Sequence, residues 1–260
     1  MWLDFFTRRH YIIGVCLEEG DIFVSIKWVL FDLDGTLLPM DNDYFAKSYM
    51  KLLAAKLMPY GYEPHEFIKA VWDGVAAMVK NDGTHSNERA FMDSFAEKYG
   101  AERAERDLPV MLDFYANEFS QAKAFCGYNA AAAETIGLIK ERELRTALAT
   151  NPLFPRVATL ARIGWAGLKP EDFELITTYE DTHWCKPNPE YYREVARNIG
   201  ADCSECLMVG NDVREDAMTA EAAGMSAFLL TDCLINRDNV DISRWPHGDF
   251  AALQEYIAKL

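Results

Sequence analysis

Apolar positions along the chain follow two rhythms. Short apolar or β-branched runs, Ile26–Phe31, Leu144–Ala149, Phe173–Thr177, Cys206–Val209 and Ser226–Leu230, each stop at turn or polar residues. Such runs read as strands buried on both faces, and the helical patterns between them predict βαβ units around a parallel sheet. The regularity breaks once, because residues 32 to 143 separate the first run from the second, far more chain than one crossover needs. Within that interval apolar residues recur at three- and four-residue spacing over Tyr44–Met58, Pro64–Val79, Asn87–Tyr99 and Leu108–Ala122. Turn chemistry at Pro59-Tyr60-Gly61, Asn81-Asp82-Gly83 and Gly100 divides these helices, and Ser86 or Asn87 is placed to cap the third. The expected fold is therefore α/β, a parallel-sheet core over residues 26–42 and 125–260 with an inserted all-α domain over 43–124. Phe67, Trp72, Met78, Phe91, Met92 and Phe95 are assigned to the core of the insert, and Asp249–Leu260 to a closing amphipathic helix.

Composition narrows the partners. The chain has 260 residues, 50% of them hydrophobic, enough for one large domain or a core with an insertion. Acidic residues outnumber basic ones 41 to 26, and the net charge of −15 argues against nucleic-acid and anionic-membrane partners. An anionic substrate then needs a local cationic device. No apolar stretch approaches the roughly 20 residues that span a bilayer, and no feature specifies an oligomeric state. The six cysteines are dispersed, which points to reduced thiols and a cytoplasmic setting; Cys203 and Cys206 form a C-x-x-C without the second ligand pair that zinc needs. Residues 1–25 lack periodicity. Arg8-Arg9-His10 and Tyr11–Leu17 faintly mimic a signal peptide, but Glu18-Glu19 interrupts it and no cleavage site follows, so the segment is read as an extension that need not be native.

The candidate chemistry sits where the strands end. Phe31-Asp32-Leu33-Asp34-Gly35-Thr36 places two carboxylates two residues apart, on one face of an extended chain, able to converge on one ligand or metal ion. Alone, the segment is equally an acidic Asp-Gly turn. Thr150-Asn151-Pro152 ends the second run with a hydroxyl and backbone donors where an anion could dock. In Cys185-Lys186-Pro187-Asn188-Pro189, Asn188 can cap a helix whose first turn holds Pro189, and Lys186 on this stiff approach offers the cation that a phosphate group requires. Gly210-Asn211-Asp212-Val213-Arg214-Glu215-Asp216 supplies oxygen ligands suited to Mg²⁺, with Asp212 binding directly and Asp216 supporting it.

With these four motifs in this order, from about Ile26 to Leu230, the chain resembles the haloacid dehalogenase superfamily, the helical insertion standing where that family carries its C1 cap. The resemblance implies a Rossmann-like core. It implies further that Asp32 is the nucleophile and Asp34 the general acid and base, that Thr150, Asn151 and Lys186 hold the phosphoryl oxygens, and that Asp32, Asp34 and Asp212 bind Mg²⁺ with Asn211 and Asp216 behind them. One departure stands out: Asn211 intervenes where many relatives have aspartate directly after the glycine, and Asp212 is preferred as the ligand because a charged oxygen holds Mg²⁺ better. The implied activity is hydrolysis of a small phosphorylated metabolite through an aspartyl-phosphate. A sugar phosphomutase would share the intermediate, but nothing in residues 43–124 specifies one. A haloacid dehalogenase would leave Asp34, Asp212 and Asp216 without a task, and a catalytically idle binding module has no physical reason to keep the full set of charges. His65, Lys69, His85 and Arg89 are expected on the solvated surface, while Asp41, Asn42 and Asp43 lie nearer the motif as turn formers or substrate contacts.

Overall fold

The computed structural model describes residues 25–260; the expected extension over residues 1–25 falls almost wholly outside them. Six parallel strands, β1 (Trp28–Phe31), β2 (Arg145–Leu148), β3 (Leu175–Ile176), β4 (Cys206–Gly210), β5 (Ser226–Leu230) and β6 (His247–Gly248), form one sheet in the order β3-β2-β1-β4-β5-β6. Two-residue alternation sends Val29 and Phe31 of β1 and Leu207 and Val209 of β4 to one face, and Trp28, Leu30, Cys206 and Met208 to the other. Helices α5 (Ala131–Glu141), α6 (Arg156–Trp165) and α9 (Phe250–Ile257) contribute to the first layer, and α7 (Pro189–Ile199) and α8 (Thr219–Ala223) to the second. Covering both faces explains why the central strands are apolar throughout. The architecture is thus the doubly covered parallel sheet that the alternation of runs predicts.

Four helices lie between β1 and β2: α1 (Asn42–Leu57), α2 (Pro64–Val79), α3 (Asn87–Tyr99) and α4 (Ala101–Ala116), followed by 3₁₀ turns over Glu118–Phe125. Asp41 caps α1, its carboxylate accepting from the Tyr44 N–H at 2.9 Å, and Ser86 caps α3 through the Arg89 N–H at 3.2 Å. The fourth helix departs from its expected span of Leu108–Ala122. It starts seven residues earlier, through a charged run whose buried Asp107 is held by Arg106 and by the Tyr62 hydroxyl at 2.9 Å, and Pro109 rides on its exposed side. β6 was not anticipated either, since two residues carry no apolar run. Cys203 and Cys206 are free thiols, with Cys206 buried in β4, and burial pushes its thiol up to about 12, which leaves it inert.

The insert also meets the core away from its two chain crossings. The Asn87 N–H donates to the Thr182 carbonyl at 2.9 Å, the Glu88 N–H to that of Tyr179 at 2.8 Å, and the Asn87 amide to that of Trp184 at 3.3 Å. Asn87 is fully buried there, and Met78, Tyr179 and Cys185 close a small apolar cluster beside it. Asn87→Ala, which strands the Trp184 carbonyl, is expected to lower the unfolding free energy by about 1–2 kcal/mol in urea denaturation.

Candidate active site

Asp32 follows β1 directly, and its N–H donates to the Val209 carbonyl of β4 at 2.9 Å, so the two central strands fix it between them. The chain then turns tightly, Leu38 N–H bonding the Leu33 carbonyl at 2.8 Å. Gly35 sits at φ 85°, and a Cβ there would lie 2.4 Å from the Asn211 amide nitrogen; both facts require glycine. At Gly210 a Cβ would fall 2.1 Å from Asp216 Oδ2. The first and fourth motifs therefore pack with glycine backbone against polar side chain.

Lys186 is the hub of this packing. Its buried Nζ donates to Asp32 Oδ1 at 3.0 Å and to Asp216 Oδ1 at 2.7 Å, while Asp216 Oδ2 accepts the Asp212 N–H at 3.0 Å. Asn188 caps α7 just beyond, accepting from the Glu190 N–H at 3.0 Å, which holds the approach to Lys186 in place. The Thr36 hydroxyl stands 2.9 Å from Asn211 Oδ1 and 3.3 Å from Asp32 Oδ2, so its single proton favours Asn211. Asn211 spends its amide on the Cys233 carbonyl at 2.7 Å. Asp212 Oδ1 accepts the N–H groups of Arg214 and Glu215, both at 2.8 Å, capping a π-type turn over Val213–Met218. Its second oxygen has no hydrogen-bond partner among the described residues.

The charges here do not balance locally. Burial raises Asp32 to about 7, with Asp216 and Asp34 adding to the rise and Lys186 opposing it. Burial likewise raises Glu215 to about 7 and shifts Asp212 upward. Lys186 moves well above the ordinary lysine range: burial works against its charge, but Asp216 and Asp32 outweigh it. One ammonium shared between two carboxylates stays charged and leaves Asp32 incompletely compensated.

Arg162, which sequence reasoning missed, supplies the second buried cation. It is wholly buried on α6, and its Nη1 donates to Asp34 Oδ2. The guanidinium lies 3.9 Å over the Phe154 ring and donates through Nε to the Ala158 carbonyl at 3.3 Å. Asp34 Oδ1 is buried without a partner among the described residues. The available signal was an arginine inside the apolar face of a helix, Ala158 to Ile163, which demands an anion from elsewhere in the fold.

The remaining anticipated residues divide. Thr150 is buried, its carbonyl held by the Tyr191 hydroxyl at 2.7 Å, and its own hydroxyl has no protein partner among the described residues and borders the cavity beside Asp32. Asn151 has its side-chain amide committed to Glu215 at 3.0 Å and to the Lys186 carbonyl at 3.4 Å, which leaves its backbone N–H as the available donor. Asn42 and Asp43 line the cavity, whereas Asp41 serves as a cap. His65, Lys69 and Arg89 are exposed; Lys69 pairs with Asp73 at 2.7 Å and Arg89 with Asp93 at 2.9 Å. Trp72 needs correction as a core residue. Phe67, Met78 and Phe95 are buried and Phe91 and Met92 partly so, but Trp72 is 45% exposed and lines the cavity, because α2 carries a second apolar stripe beside its packed one.

The cavity has a volume of about 550 Å³ and runs from Asp32, Asp34, Thr150 and Asp212 to the insert. Among the described residues, the one set of three His, Cys, Asp or Glu side chains with ligand atoms within 4.8 Å of one another is Glu63, His65 and Glu66, exposed at the start of α2, where Glu63 caps the helix. The acids around Asp32 stand farther apart, with Lys186 between Asp32 and Asp216.

Comparison with known proteins places the chain as a whole, though not the roles of single residues. The phosphoglycolate phosphatase of Salmonella typhi is 30% identical over 218 residues, 80% of this chain and 82% of that protein, and that of Shigella dysenteriae serotype 1 is 29% identical over 229 residues, 85% and 88%. Two solved structures share the fold: an HAD phosphatase from Thermococcus onnurineus (TM-score 0.54, 18% identity, 89% of this chain and 98% of that one) and a 2-haloacid dehalogenase from Pseudomonas syringae pv. tomato (TM-score 0.57, 20% identity, 90% and 99%). A family profile described as haloacid dehalogenase-like hydrolase matches residues 26–224, a span that contains all four motif segments around Lys186. On that match, and on relatives aligned over most of their own length, the chain belongs to the haloacid dehalogenase-like hydrolases.

Proposed function

We propose that this hydrolase is a phosphatase that cleaves small phosphomonoesters through an aspartyl-phosphate on Asp32, with Mg²⁺ as its cofactor. The observation that carries the reading is the buried Asp32 carboxylate, held by Lys186 at 3.0 Å beside a Thr150 hydroxyl that borders the cavity. Lys186, the Thr150 hydroxyl and the Asn151 N–H are then donors for the phosphoryl oxygens. An Asp32 oxygen attacks phosphorus, the bond to the leaving oxygen breaks, and Asp34 gives that oxygen a proton. Asp34 next takes a proton from water, the water oxygen attacks phosphorus, and the acyl-phosphate bond breaks to return the Asp32 carboxylate and release phosphate. Arg162 fixes one Asp34 oxygen and leaves Oδ1, the unpartnered atom, to carry the proton.

The donor set fits a hard cation. Asp32, Asp34, Asp212, Glu215 and Asp216 cluster around two buried cations, Lys186 and Arg162. Asp32, the Asp34 carbonyl and the free oxygen of Asp212 offer the oxygen ligands that Mg²⁺ prefers, whereas Asn211 is satisfied by Thr36 and Cys233. When bound, Mg²⁺ offsets the repulsion between an anionic nucleophile and an anionic substrate. We further assign residues 26–42 and 125–260 to the catalytic core and 43–124 to a cap that excludes water and selects the leaving group. The five described cysteines are free, in keeping with a reducing, cytoplasmic setting; among the described residues no helix is long and apolar enough to cross a membrane.

The test is phosphate release from para-nitrophenyl phosphate. Turnover with millimolar Mg²⁺ is expected to fall at least a hundredfold in EDTA and to return on adding Mg²⁺. Release that is indifferent to the chelator overturns the cofactor assignment. The relatives' names make phosphoglycolate the reference substrate for the physiological panel.

A further inference from the structure

The far wall of the cavity is built for something other than a second charge. Eight large apolar side chains are exposed among the described residues, and three of them, Trp72 (45% exposed), Val79 (39%) and Met218 (41%), line this one cavity. Scattered exposed hydrophobes need no explanation, but convergence on a cleft does. Trp72, Val75 and Val79 follow at three- and four-residue spacing on α2 and so form one stripe, while Phe67, Val71, Gly74 and Met78 take the packed face of the same helix. Met218 lines the same cavity from the core, at the end of the turn that Asp212 caps. An indole with neighbouring aliphatic groups offers a planar apolar surface of the kind that binds rings.

The lining charges disfavour a second anion there. Among the described residues two cationic side chains line the cavity, Arg214 and Arg237, while Lys186 and Arg162 lie behind its wall, paired with Asp32 and Asp216 and with Asp34. Arg237 already lies 3.4 Å from Asp43. Asp43, Asp238 and Glu215 also line the space, so a carboxylate or second phosphate on the leaving group would meet more negative than positive charge.

We infer that the leaving group is an uncharged alcohol with an apolar or aromatic face, seated on the Trp72–Val75–Val79 stripe opposite Met218, and not a short anion such as glycolate. The inference rests on the phosphatase reading. It is tested on the full chain with Mg²⁺ by comparing benzyl phosphate, 2-phosphoglycolate and O-phosphoethanolamine, all esters of primary alcohols. kcat/KM is expected to be at least tenfold higher for benzyl phosphate than for either charged ester. Trp72→Ala should lower the benzyl-to-phosphoglycolate ratio about tenfold, mainly through KM, and Trp72→Phe should recover most of it. Preference for phosphoglycolate or phosphoethanolamine, or a ratio unmoved by Trp72→Ala, overturns the inference and leaves the phosphatase intact. Hydrolysis of none of the three, nor of para-nitrophenyl phosphate, removes both.

Discussion

Asp32→Asn is expected to abolish phosphate release and, in protein stripped of divalent cations, to raise stability at alkaline pH. The first effect follows from the proposed nucleophile, because a neutral amide in the same place cannot form the acyl-phosphate. The second follows from burial. Asp32 sits at about 7 in the folded chain against an ordinary 3.8, chiefly because it is buried. The folded state therefore binds this proton more tightly than the unfolded one, and the associated stability is complete below about pH 4 and lost as pH rises through 7. Asparagine removes that loss while Lys186 keeps Asp216 at 2.7 Å. In EDTA at pH 8 the variant should gain on the order of 2 kcal/mol, with little gain at pH 4, measured by urea unfolding. Equal stability at both pH values would mean that Lys186 already compensates Asp32 fully.

Arg162→Met is the second large expectation. The substitution removes the guanidinium from Asp34, Ala158 and Thr159 and leaves a carboxylate that has lost its one cation partner among the described residues. Breaking one side of a buried pair costs about 3–5 kcal/mol, whereas replacing both partners is often near neutral. Asp34→Asn combined with Arg162→Met should therefore regain much of the stability lost by Arg162→Met alone, a coupling that a double-mutant cycle reads directly. Arg162→Lys separates positioning from folding. It keeps the charge but loses the fixed fork, so turnover of alkyl phosphates, whose leaving oxygen needs the proton from Asp34, should fall about a hundredfold. Turnover of para-nitrophenyl phosphate, whose leaving group needs no proton, should fall much less. Equal losses on both would make Arg162 a structural residue only.

What the chain discloses before folding depends on how local the cause is. The first five strands, the ends of α2 and α3, and the caps at Ser86 and Asn188 were legible because apolar runs, Pro64, Gly100 and capping side chains act within a few residues. The four motif segments were legible because each sits at or just beyond a strand end, and a parallel sheet gathers those ends at one edge. Arg162 was not, since its partner lies 128 positions away and nothing near it is acidic. Trp72 was misplaced because periodicity reports apolar stripes on α2 without saying which one meets protein and which meets a cavity. The start of α4 was hidden by a charged run whose buried member, Asp107, is satisfied only by tertiary contacts.

The seam between Asn87-Glu88 and the segment 178–186 fastens the helical insert to the core at a place distant from its two chain crossings, in addition to the packing of Tyr49 and Tyr115 on Phe154. A rigid outward swing about the two chain crossings would sever three hydrogen bonds and wet Met78, Tyr179 and Cys185. At roughly 1 kcal/mol for each bond, with the apolar surface added, fewer than about one molecule in a hundred would stand open in that way. The opposite rim is spanned by the exposed Asp43–Arg237 pair, which contributes little to holding it shut. Parting the Asp43–Arg237 side therefore costs less than swinging the whole insert away, and the seam ties the loop that carries Lys186 to the insert.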